Sequence, residues 1–312
     1  MEKNNFIVVG DTILDRFLYG DAVRISPEAP ALVLDVKEEH HSIGGAFNVF
    51  SHILSLNCIA KLITVTGNDI DKYHEDFPEL RLYEKDIKII KDETRITSIK
   101  TRLVAYYKLS YLARFDKEII KDISDNNIKN ILESVDEYLN ENSSLLIVDY
   151  KKGVITPKLA KELIRISHQK KIKVYVDSKK DDMSSFRGAY LFKPNKVEFH
   201  EIKLRYQLSQ YDDIDACKKL IEEFDIENIV LTLGSRGMLA VNKMGQVFSI
   251  PGHEVMIKEL SGAGDSVLAV LSTLISEKYS FKSALESANR IAACFISSGV
   301  SYRAKREDLF KQ

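Results

Sequence analysis

The sequence contains no tryptophan, only six prolines and only three cysteines among its 312 residues. Cys58, Cys217 and Cys294 are scattered and have no CxxC spacing, which argues against a disulfide framework or a cysteine metal cluster. We interpret them as the reduced thiols of a cytoplasmic protein. The seven histidines include no HExxH pair, so a histidine-bound metal is not expected.

Long apolar runs and an excess of charge are also missing. No hydrophobic stretch approaches the length of a membrane span, and the segment before Phe6 leaves no room for a signal peptide. The 45 basic and 46 acidic side chains give a net charge of -1, so no overall field attracts nucleic acid or an anionic membrane. We therefore expect neither a nucleic-acid partner nor a membrane partner.

Short apolar runs instead alternate with amphipathic segments. The runs at 6–9, 145–148, 174–176 and 229–233 predict buried strands. Helical spacing across 128–139, and again after the N-cap candidate Thr156 with Pro157, predicts helices between them. This alternation favours a mostly parallel sheet covered on both faces. Residues of about 12–40 and 88–116 alternate in polarity without helices, and predict the strands of a small β lid.

Two glycines, Gly262 and Gly264, stand immediately before an apolar, helix-compatible run. Glycine is costly inside a helix, so both are expected in a loop that leads into the helix. The free N–H groups and the positive end of the helix dipole then favour an anion, phosphate above all, with Asp265 in the first turn. The alternative is an ordinary helix capped by Ser261 or Asp265.

Three further clusters have ligand-binding chemistry, although each taken alone is better explained as a turn or a helix cap, and only their joint occurrence in this order favours a site. Acidic residues after the first strand occupy the edge where open α/β sheets bind ligands. A second glycine pair precedes a helix, and an Asn–Glu pair spaced by three suits a hydrated Mg²⁺. In chain order the clusters are Asp11 and Asp15, then Gly44, Gly45 and Asn48, and then Asn195 and Glu198. Neither a P-loop nor a dinucleotide fingerprint is present.

In this order the clusters resemble the ribokinase-like (phosphofructokinase B) family of sugar kinases over nearly the whole chain, and most of all its D-glycero-β-D-manno-heptose 7-phosphate kinases. The likeness is carried by 9-VGDTILDRFLYGDAVRISPEAP-30, 44-GGAFNV-49, 148-VDYKKG-153, 176-VDSKK-180, 193-KPNKVEF-199, 231-LTLGSRG-237 and 261-SGAGDS-266. The resemblance implies a single α/β domain over residues 1–312, folded as a three-layer sandwich with a small β lid. It also implies ATP and Mg²⁺ as cofactors and a homodimer formed through the lid.

The resemblance also assigns roles to individual residues. The anion hole would be Gly262, Ala263 and Gly264, with Asp265 taking the proton of the acceptor hydroxyl. Sugar hydroxyls would meet Asp11, Asp15, Gly44, Gly45 and Asn48, while Lys179, Thr232, Gly234, Gly237 and Asn289 would bind the nucleotide. Asn195 and Glu198 would organise Mg²⁺, commonly through water. An acceptor that already carries phosphate would need basic residues near the lid, for which Arg24, Lys100 and Arg102 are candidates.

Three features depart from the family pattern. Glu259 replaces the usual aspartate before the glycine loop, which puts activation by monovalent cations in doubt. Phe47 and Phe50 stand where small residues are usual, and either pack in the core or narrow the acceptor range. The chain leaves no room for a nucleotidylyltransferase domain, so we expect a kinase alone.

The function implied is phosphorylation of the anomeric hydroxyl of heptose 7-phosphate to the 1,7-bisphosphate. The alternatives are a kinase of another sugar or sugar phosphate, and a non-catalytic regulator that binds a nucleotide or a sugar. The intact Asp265 argues against the regulator, since a protein that only binds needs no base.

Overall fold

The computed structural model describes residues 4–107, 110–299 and 302–310. Its strands are β1 (Asn5–Gly10), β2 (Thr12–Ile25), β3 (Leu32–Gly45), β4 (Ile59–Gly67), β5 (Ile87–Asp92), β6 (Ile99–Ala105), β7 (Ser110–Lys117), β8 (Ser143–Asp149), β9 (Lys173–Ser178), β10 (Leu191–Phe192), β11 (Asn228–Thr232), β12 (Met238–Asn242) and β13 (Val247–Ile250). Its helices are α1 (Ala46–Ser55), α2 (Glu79–Leu82), α3 (Asp125–Tyr138), α4 (Pro157–Gln169), α5 (Lys196–Arg205), α6 (Asp213–Phe224), α7 (Ala263–Ser276) and α8 (Phe281–Ser298). The strands and helices predicted from periodicity are all present.

A nine-stranded sheet forms the centre of the molecule, in the order β13-β12-β11-β10-β9-β8-β1-β4-β5. The pairs from β11 through to β5 are parallel, and only β12 and β13 are added antiparallel. The predicted mostly parallel sheet is therefore confirmed. Parallel pairing brings the carboxyl ends of the central strands to one edge, where ligands bind in open α/β folds.

The side chains of β1 show how the three layers arise. Phe6 and Val8 enter the hydrophobic core beneath α1, α7 and α8, while Ile7 and Val9 enter the core beneath α3, α4 and α6. All four side chains are fully buried. A central strand covered on both faces reads as a continuous apolar run rather than an alternating one, which is why this strand was recognisable.

Helix starts follow local capping chemistry. The Thr156 side chain accepts the N–H of Leu159, and Pro157 occupies the first turn of α4, as predicted. Ser124 caps α3 in the same way through the N–H of Asn127. These bonds fix where the chain turns from loop to helix on the face opposite α7.

Strands β3, β2, β6 and β7 form a separate four-stranded sheet, in that order. The prediction that strands of residues 12–40 lie outside the main sheet holds, with β3 continuing to Gly45. For residues 88–116 it was partly wrong, because β5 pairs in parallel with β4 at the edge of the main sheet. Residues 88–92 contain both exposed and buried side chains because β5 lies at the edge of the sheet and is only partly covered. A lid strand gives the same sequence pattern, so the sequence could not separate the two.

Several large apolar side chains of the four-stranded sheet are exposed. They include Val23, Ile25, Tyr111 and Phe115, with 85%, 60%, 55% and 59% of their surface accessible. In the part of the chain that the structure describes, no helix is long and apolar enough to cross a membrane.

Candidate active site

A pocket lies between the four-stranded sheet and the N-terminal ends of α1 and α7. It collects side chains that are far apart in sequence. The predicted residues among its lining are Asp15, Gly44, Gly45, Asn48, Lys100, Arg102, Gly262 and Asp265. The fold therefore brings most of the predicted sugar-binding set together with the predicted base.

Asp265 lies in the first turn of α7 and is 2% exposed. Its Oδ2 accepts a hydrogen bond of 2.8 Å from Asn48 Nδ2, and its Oδ1 accepts one of 2.7 Å from the Tyr150 hydroxyl. Burial, and then the charge of Asp177, raise the pKa of Asp265 to about 6, while the two donors oppose the shift. A carboxylate with this pKa is a better proton acceptor near neutrality than an exposed aspartate.

Gly262 is the N-cap of α7 and has a φ of 100°, in the region that favours glycine. A Cβ on Gly262 would lie 2.7 Å from Asn48 Nδ2, so a side chain there would displace the partner of Asp265. No side chain caps this helix, which rules out the alternative of capping by Ser261 or Asp265. Its N-terminal turn is left facing the pocket, as anion binding requires.

Gly264 was predicted to lie in the loop, and this was wrong. It lies in the first turn of α7, which begins at Ala263. A Cβ on Gly264 would approach Lys193 Nζ to 3.3 Å. The 2% exposed Lys193 forms a 2.7 Å ion pair with Asp177 Oδ2 directly beneath this turn. Glycine therefore serves here to let a buried cation approach the helix start, which offsets its low helix propensity.

On the lid side of the pocket, Arg102 donates to Asp15 in a close ion pair. Lys100 precedes it by two residues on β6 and lines the same pocket, as the alternation of a strand predicts. Burial, and then the nearby Lys152, lower the pKa of Lys100. An anion placed here would relieve both effects.

Asp11 was predicted to bind sugar, and the structure does not place it in the pocket lining. Its Oδ2 accepts the N–H groups of Tyr150 and Lys152 at 2.7 and 3.2 Å, and its Oδ1 accepts the N–H of Val154 at 3.1 Å. The side chain is 1% exposed. Asp11 therefore holds the loop after β8 in place, and the sequence could not show that backbone donors would surround it.

The predicted magnesium pair forms a capping box at the start of α5. Asn195 Oδ1 accepts the N–H groups of Val197 and Glu198, and Glu198 Oε2 accepts the N–H of Asn195 at 2.8 Å. The other oxygen, Oε1, lies 3.6 Å from Lys179 Nζ. Among the described residues no group of three or more His, Cys, Asp or Glu could enclose a metal. The pair fits a hydrated Mg²⁺ bound through water and does not fit direct ligation by an all-protein cage.

The predicted nucleotide residues lie next to this cap. Thr232 pairs with Asn195 across an isolated bridge at the end of β11. Gly234 has a φ of 62° and open space where a Cβ would be, whereas Gly237, at 85°, packs against the backbone of Ile250. Gly234 thus belongs to an open loop, while Gly237 is required by the turn itself.

Lys179 connects the two halves of the site. Its ammonium lies 4.4 Å from the centre of the Tyr150 ring, and Tyr150 reaches Asp265. The predicted phosphate contact therefore stands beside the base, with 42% of its side chain exposed for a ligand. The arrangement suits transfer of an anionic group from the Lys179 side to a hydroxyl at Asp265.

Comparison with known proteins then decides the family. A model described as pfkB family carbohydrate kinase matches residues 3–305. The chain belongs to this family. The sequence resemblance is thus confirmed, and the enzyme class expected from it, an ATP-dependent sugar kinase, is that of the family.

Curated relatives of this pfkB kinase include the bifunctional protein HldE of Aliarcobacter butzleri (strain RM4018), 33% identical over 95% of this chain and 61% of that protein. The bifunctional protein HldE of Helicobacter pylori (strain G27) is 32% identical over 97% of this chain and 65% of that protein. The chain thus spans less than two thirds of the length of these relatives.

Solved structures confirm the fold. Phosphofructokinase-2 from Escherichia coli, in complex with substrates and products, superposes with a TM-score of 0.79 at 18% identity, covering 99% of this chain and 97% of that chain. Ribokinase from Thermotoga maritima gives 0.76 at 18% identity, covering 99% and 98%. The α/β sandwich with a mostly parallel sheet and a smaller second sheet is therefore that of ribokinase-like kinases.

Arg24, predicted to hold a distal phosphate, does not reach the pocket of the kinase. It is exposed near the outer end of β2, opposite Val33 of β3. The motif that contains it spans the length of a long strand, so proximity in sequence to Asp15 did not translate into proximity in space. Strand rise of about 3.3 Å per residue separates them by tens of ångströms.

Phe47 and Phe50 are 1% and 0% exposed and pack with Tyr83 in the core beneath α1. Neither lines the pocket beside Asp265. Of the two interpretations given for these residues, core packing is the one the structure supports. Asn289 Nδ2 donates to the carbonyl of Pro251 at 2.8 Å and holds the loop after β13, and its contact with a nucleotide stays a prediction.

Glu259 has found partners of its own. Its Oε1 accepts the N–H groups of Leu260 and Ser261, and its Oε2 accepts the Tyr111 hydroxyl at 2.7 Å. The residue that departs from the family pattern thus ties lid strand β7 to the segment preceding the glycine loop. Whether cations activate the kinase stays a prediction.

Sequence reasoning missed several residues of the site. Tyr150, Phe295 and Arg303 line the pocket, and the Lys193–Asp177 pair lies beneath α7. Tyr150 follows β8 directly, so the strand-end rule applied to Asp11 could have found it. Phe295 is on α8 and Arg303 beyond it, and nothing in their local sequence indicates a pocket.

Proposed function

We propose that this pfkB kinase transfers the γ-phosphoryl group of MgATP to the anomeric hydroxyl of D-glycero-D-manno-heptose 7-phosphate, forming the 1,7-bisphosphate. The observation that carries the proposal is a pocket with a base at one end and cations at the other. Asp265 lies at the α7 end, and Lys100 and Arg102 come from the lid strand β6. An acceptor with a hydroxyl at one end and a phosphate at the other matches this polarity.

The likeness to bifunctional HldE proteins supports the heptose branch, as does the segment 24–30 that resembles it in sequence. The cations in the pocket lining support an acceptor that carries phosphate. Burial and Lys152 lower the pKa of Lys100, so a phosphate near it would be favoured by the whole group of cations.

In the proposed reaction the acceptor O–H bond breaks and its proton passes to Asp265. The oxygen forms a bond to the γ-phosphorus as the bond from phosphorus to the bridging oxygen breaks, and ADP leaves. The N-terminal turn of α7 and the nearby Lys193 would stabilise the negative charge of the group in transfer. Because phosphoryl transition states are loose, this positioning and charge stabilisation contribute more than the basicity of Asp265.

Mg²⁺, when bound with ATP, would neutralise phosphate charge. Glu198 and Asn195 would hold it through its water shell, since Asn195 Oδ1 and Glu198 Oε2 are engaged in the cap of α5 and only Glu198 Oε1 lies outside it. Burial, and then Asp177, raise the pKa of Glu198, and a dication nearby would favour its ionised form.

The direct test is incubation of the pure protein with MgATP and a panel of sugars and sugar phosphates, with the new phosphate located by phosphorus NMR. We expect turnover of heptose 7-phosphate and far weaker turnover of unphosphorylated heptose. If another sugar phosphate is the better substrate, the kinase class stands and the heptose assignment fails. If no acceptor in the panel is turned over, a binding role replaces catalysis.

A pair of lid variants tests the polarity of the pocket. Lys100→Ala should raise KM for the sugar phosphate at least about tenfold, roughly 1.4 kcal/mol, while KM for ATP barely moves. Arg24→Ala is the matched control, being a lid cation outside the pocket, and should leave both constants unchanged. An equal effect of the two variants would place phosphate recognition on the outer lid instead.

We also propose that the kinase is a cytoplasmic homodimer joined through the four-stranded sheet. The exposed Val23, Ile25 and Phe115 of this sheet support that surface. Sedimentation velocity of the wild type against Val23→Lys should show a dimer converted to monomer, and a wild-type monomer would refute the proposal.

A further inference from the structure

We infer that Tyr150 is a positioning residue of this kinase, whose hydroxyl holds the Asp265 carboxylate oriented toward the acceptor hydroxyl and keeps it able to accept a proton. The inference rests on the proposed function in that Asp265 receives the acceptor proton. It concerns a residue that the sequence analysis did not assign to any role.

Geometry carries the inference first. The Tyr150 hydroxyl donates to Asp265 Oδ1 at 2.7 Å, while Asn48 Nδ2 donates to Oδ2 at 2.8 Å. With one donor on each oxygen, the carboxylate cannot rotate about its Cβ–Cγ bond without losing a buried hydrogen bond. Tyr150 also lines the pocket itself, so it holds Asp265 from the side on which the acceptor enters.

The backbone fixes Tyr150 as firmly as Tyr150 fixes Asp265. The Tyr150 N–H donates to Asp11 Oδ2 at 2.7 Å, which pins the residue just after β8. On the other face of its ring, Lys179 Nζ lies 4.4 Å from the centroid. A cation over a phenol ring withdraws electron density from the ring and makes its O–H a stronger donor.

Electrostatics give the hydroxyl a second task. Burial, and then the charge of Asp265, raise the pKa of Tyr150 far above its ordinary value, so it remains a donor at every working pH. Asp265 itself is pulled in both directions. Burial and Asp177 raise its pKa, whereas Tyr150, Asn48 and Lys193 lower it.

Among the described residues, two further charged groups interact with this pair. Asp15 on β2 also raises the pKa of Tyr150, and burial lowers the pKa of Arg303 in the C-terminal segment while Asp265 opposes that shift. None of these stands in hydrogen-bond contact with Asp265 as Tyr150 does. Removing the hydroxyl should therefore leave only Asn48 and Lys193 to oppose the influences that raise the pKa of Asp265, and should increase that pKa further.

Tyr150→Phe tests this with little disturbance, because the ring and its packing against Lys179 are retained. The acidic limb of the kcat–pH profile should move up by about one unit, the size of one charge-assisted hydrogen bond. At neutral pH kcat should fall about tenfold or more, since orientation is lost as well. KM for ATP should be unchanged.

The matched control is Tyr206→Phe, which removes a tyrosine–aspartate hydrogen bond of 3.0 Å to Asp182, far from the pocket. It should leave the pH profile and kcat as in the wild type. A purely structural role for Tyr150 would lower the melting temperature in both variants and move neither pH limb.

A measurement without substrate separates this inference from the proposed function. Carbon-13 NMR of aspartate-labelled protein reports the titration of the Asp265 carboxyl directly, with Asp265→Asn identifying its signal. An upward shift of that titration in Tyr150→Phe supports the inference even if heptose 7-phosphate proves not to be the acceptor. An unchanged titration of Asp265 in a folded Tyr150→Phe protein overturns it, whatever the sugar.

Discussion

Asp11 and Asp265 are both buried aspartates, but different groups donate hydrogen bonds to their carboxylates. Both are buried, at 1% and 2% exposure, and burial raises the pKa of each to about 6. Asp11, however, is met by three backbone N–H groups of the loop after β8, whereas Asp265 is met by two side chains that line a pocket. Asp149 is the nearest like charge to the first, and Asp177 to the second.

The difference teaches how to separate a structural carboxylate from a chemical one. Backbone N–H groups donate to both oxygens of Asp11, which does not line the pocket. Replacing Asp11 should therefore lower the free energy of unfolding. One side-chain donor binds each oxygen of Asp265, and the carboxylate still lines the pocket. Replacing Asp265 should therefore lower the reaction rate.

The largest effect is expected from Asp265→Asn. The variant should lower kcat by about 10²–10⁴-fold, because it removes the proton acceptor, while affinity for the nucleotide stays nearly unchanged. Steady-state kinetics and calorimetric binding of ATP measure the two quantities. Asp182→Asn, at a partly exposed aspartate outside the pocket lining, is the control. A near-wild-type kcat in Asp265→Asn would remove Asp265 from the mechanism and collapse the contrast with Asp11.

The next effect is on stability, from Asp11→Asn. An amide can accept from the backbone with one atom only and presents its NH₂ group to the N–H groups of the other side. We expect a loss of about 2–5 kcal/mol in the free energy of unfolding, measured by denaturant titration, because buried donors lose their acceptor. The folded fraction should retain a KM for the sugar phosphate close to that of the wild type. A stable variant with a greatly raised KM would return Asp11 to the sugar-binding set.

The smallest effect is in the pH dependence of stability. A carboxyl whose folded pKa is about 6, above the ordinary 3.8, binds more protons when folded, so its burial penalty is present above pH 6 and is relieved as the pH falls toward 4. Asp265→Asn lacks this penalty and should be more stable than the wild type at pH 7.5, by about 1–3 kcal/mol at most, and this difference should fall to roughly a third at pH 4.5. Thermal unfolding at the two pH values measures the difference, and a constant offset would contradict the raised pKa.

The sequence predicted much of the surroundings of Asp265 but not those of Asp11. The sequence predicts the N-terminal turn of α7 because glycines before an apolar run favour a loop that leads into a helix. The fold brings Asn48, Asp15, Lys100 and Gly44 together with Asp265, and their binding roles stay predictions. Patterns of residue type specify local conformation well because capping and glycine conformations are local.

The errors came from contacts that local sequence does not encode. Asp11 follows a strand as a ligand-binding residue would, yet its partners come from residues 150–154, across the sheet. Arg303 and Phe295 joined the pocket through the packing of α8 against α7, which no short motif describes. The prediction for Arg24 was wrong because Arg24 and Asp15 share one sequence motif but stand far apart along the 14-residue strand β2.

The hydrogen bond between Asn48 and Asp265 joins positions 217 residues apart. On a ribosome that emits the chain from its N-terminus, α1 must therefore wait for most of synthesis before its polar partner exists. During that wait Phe47 and Phe50 have no α7 to cover them, although β1 and β4 can already pair. The apolar face of α1 therefore stays uncovered over most of elongation, and the catalytic centre is among the last features to assemble.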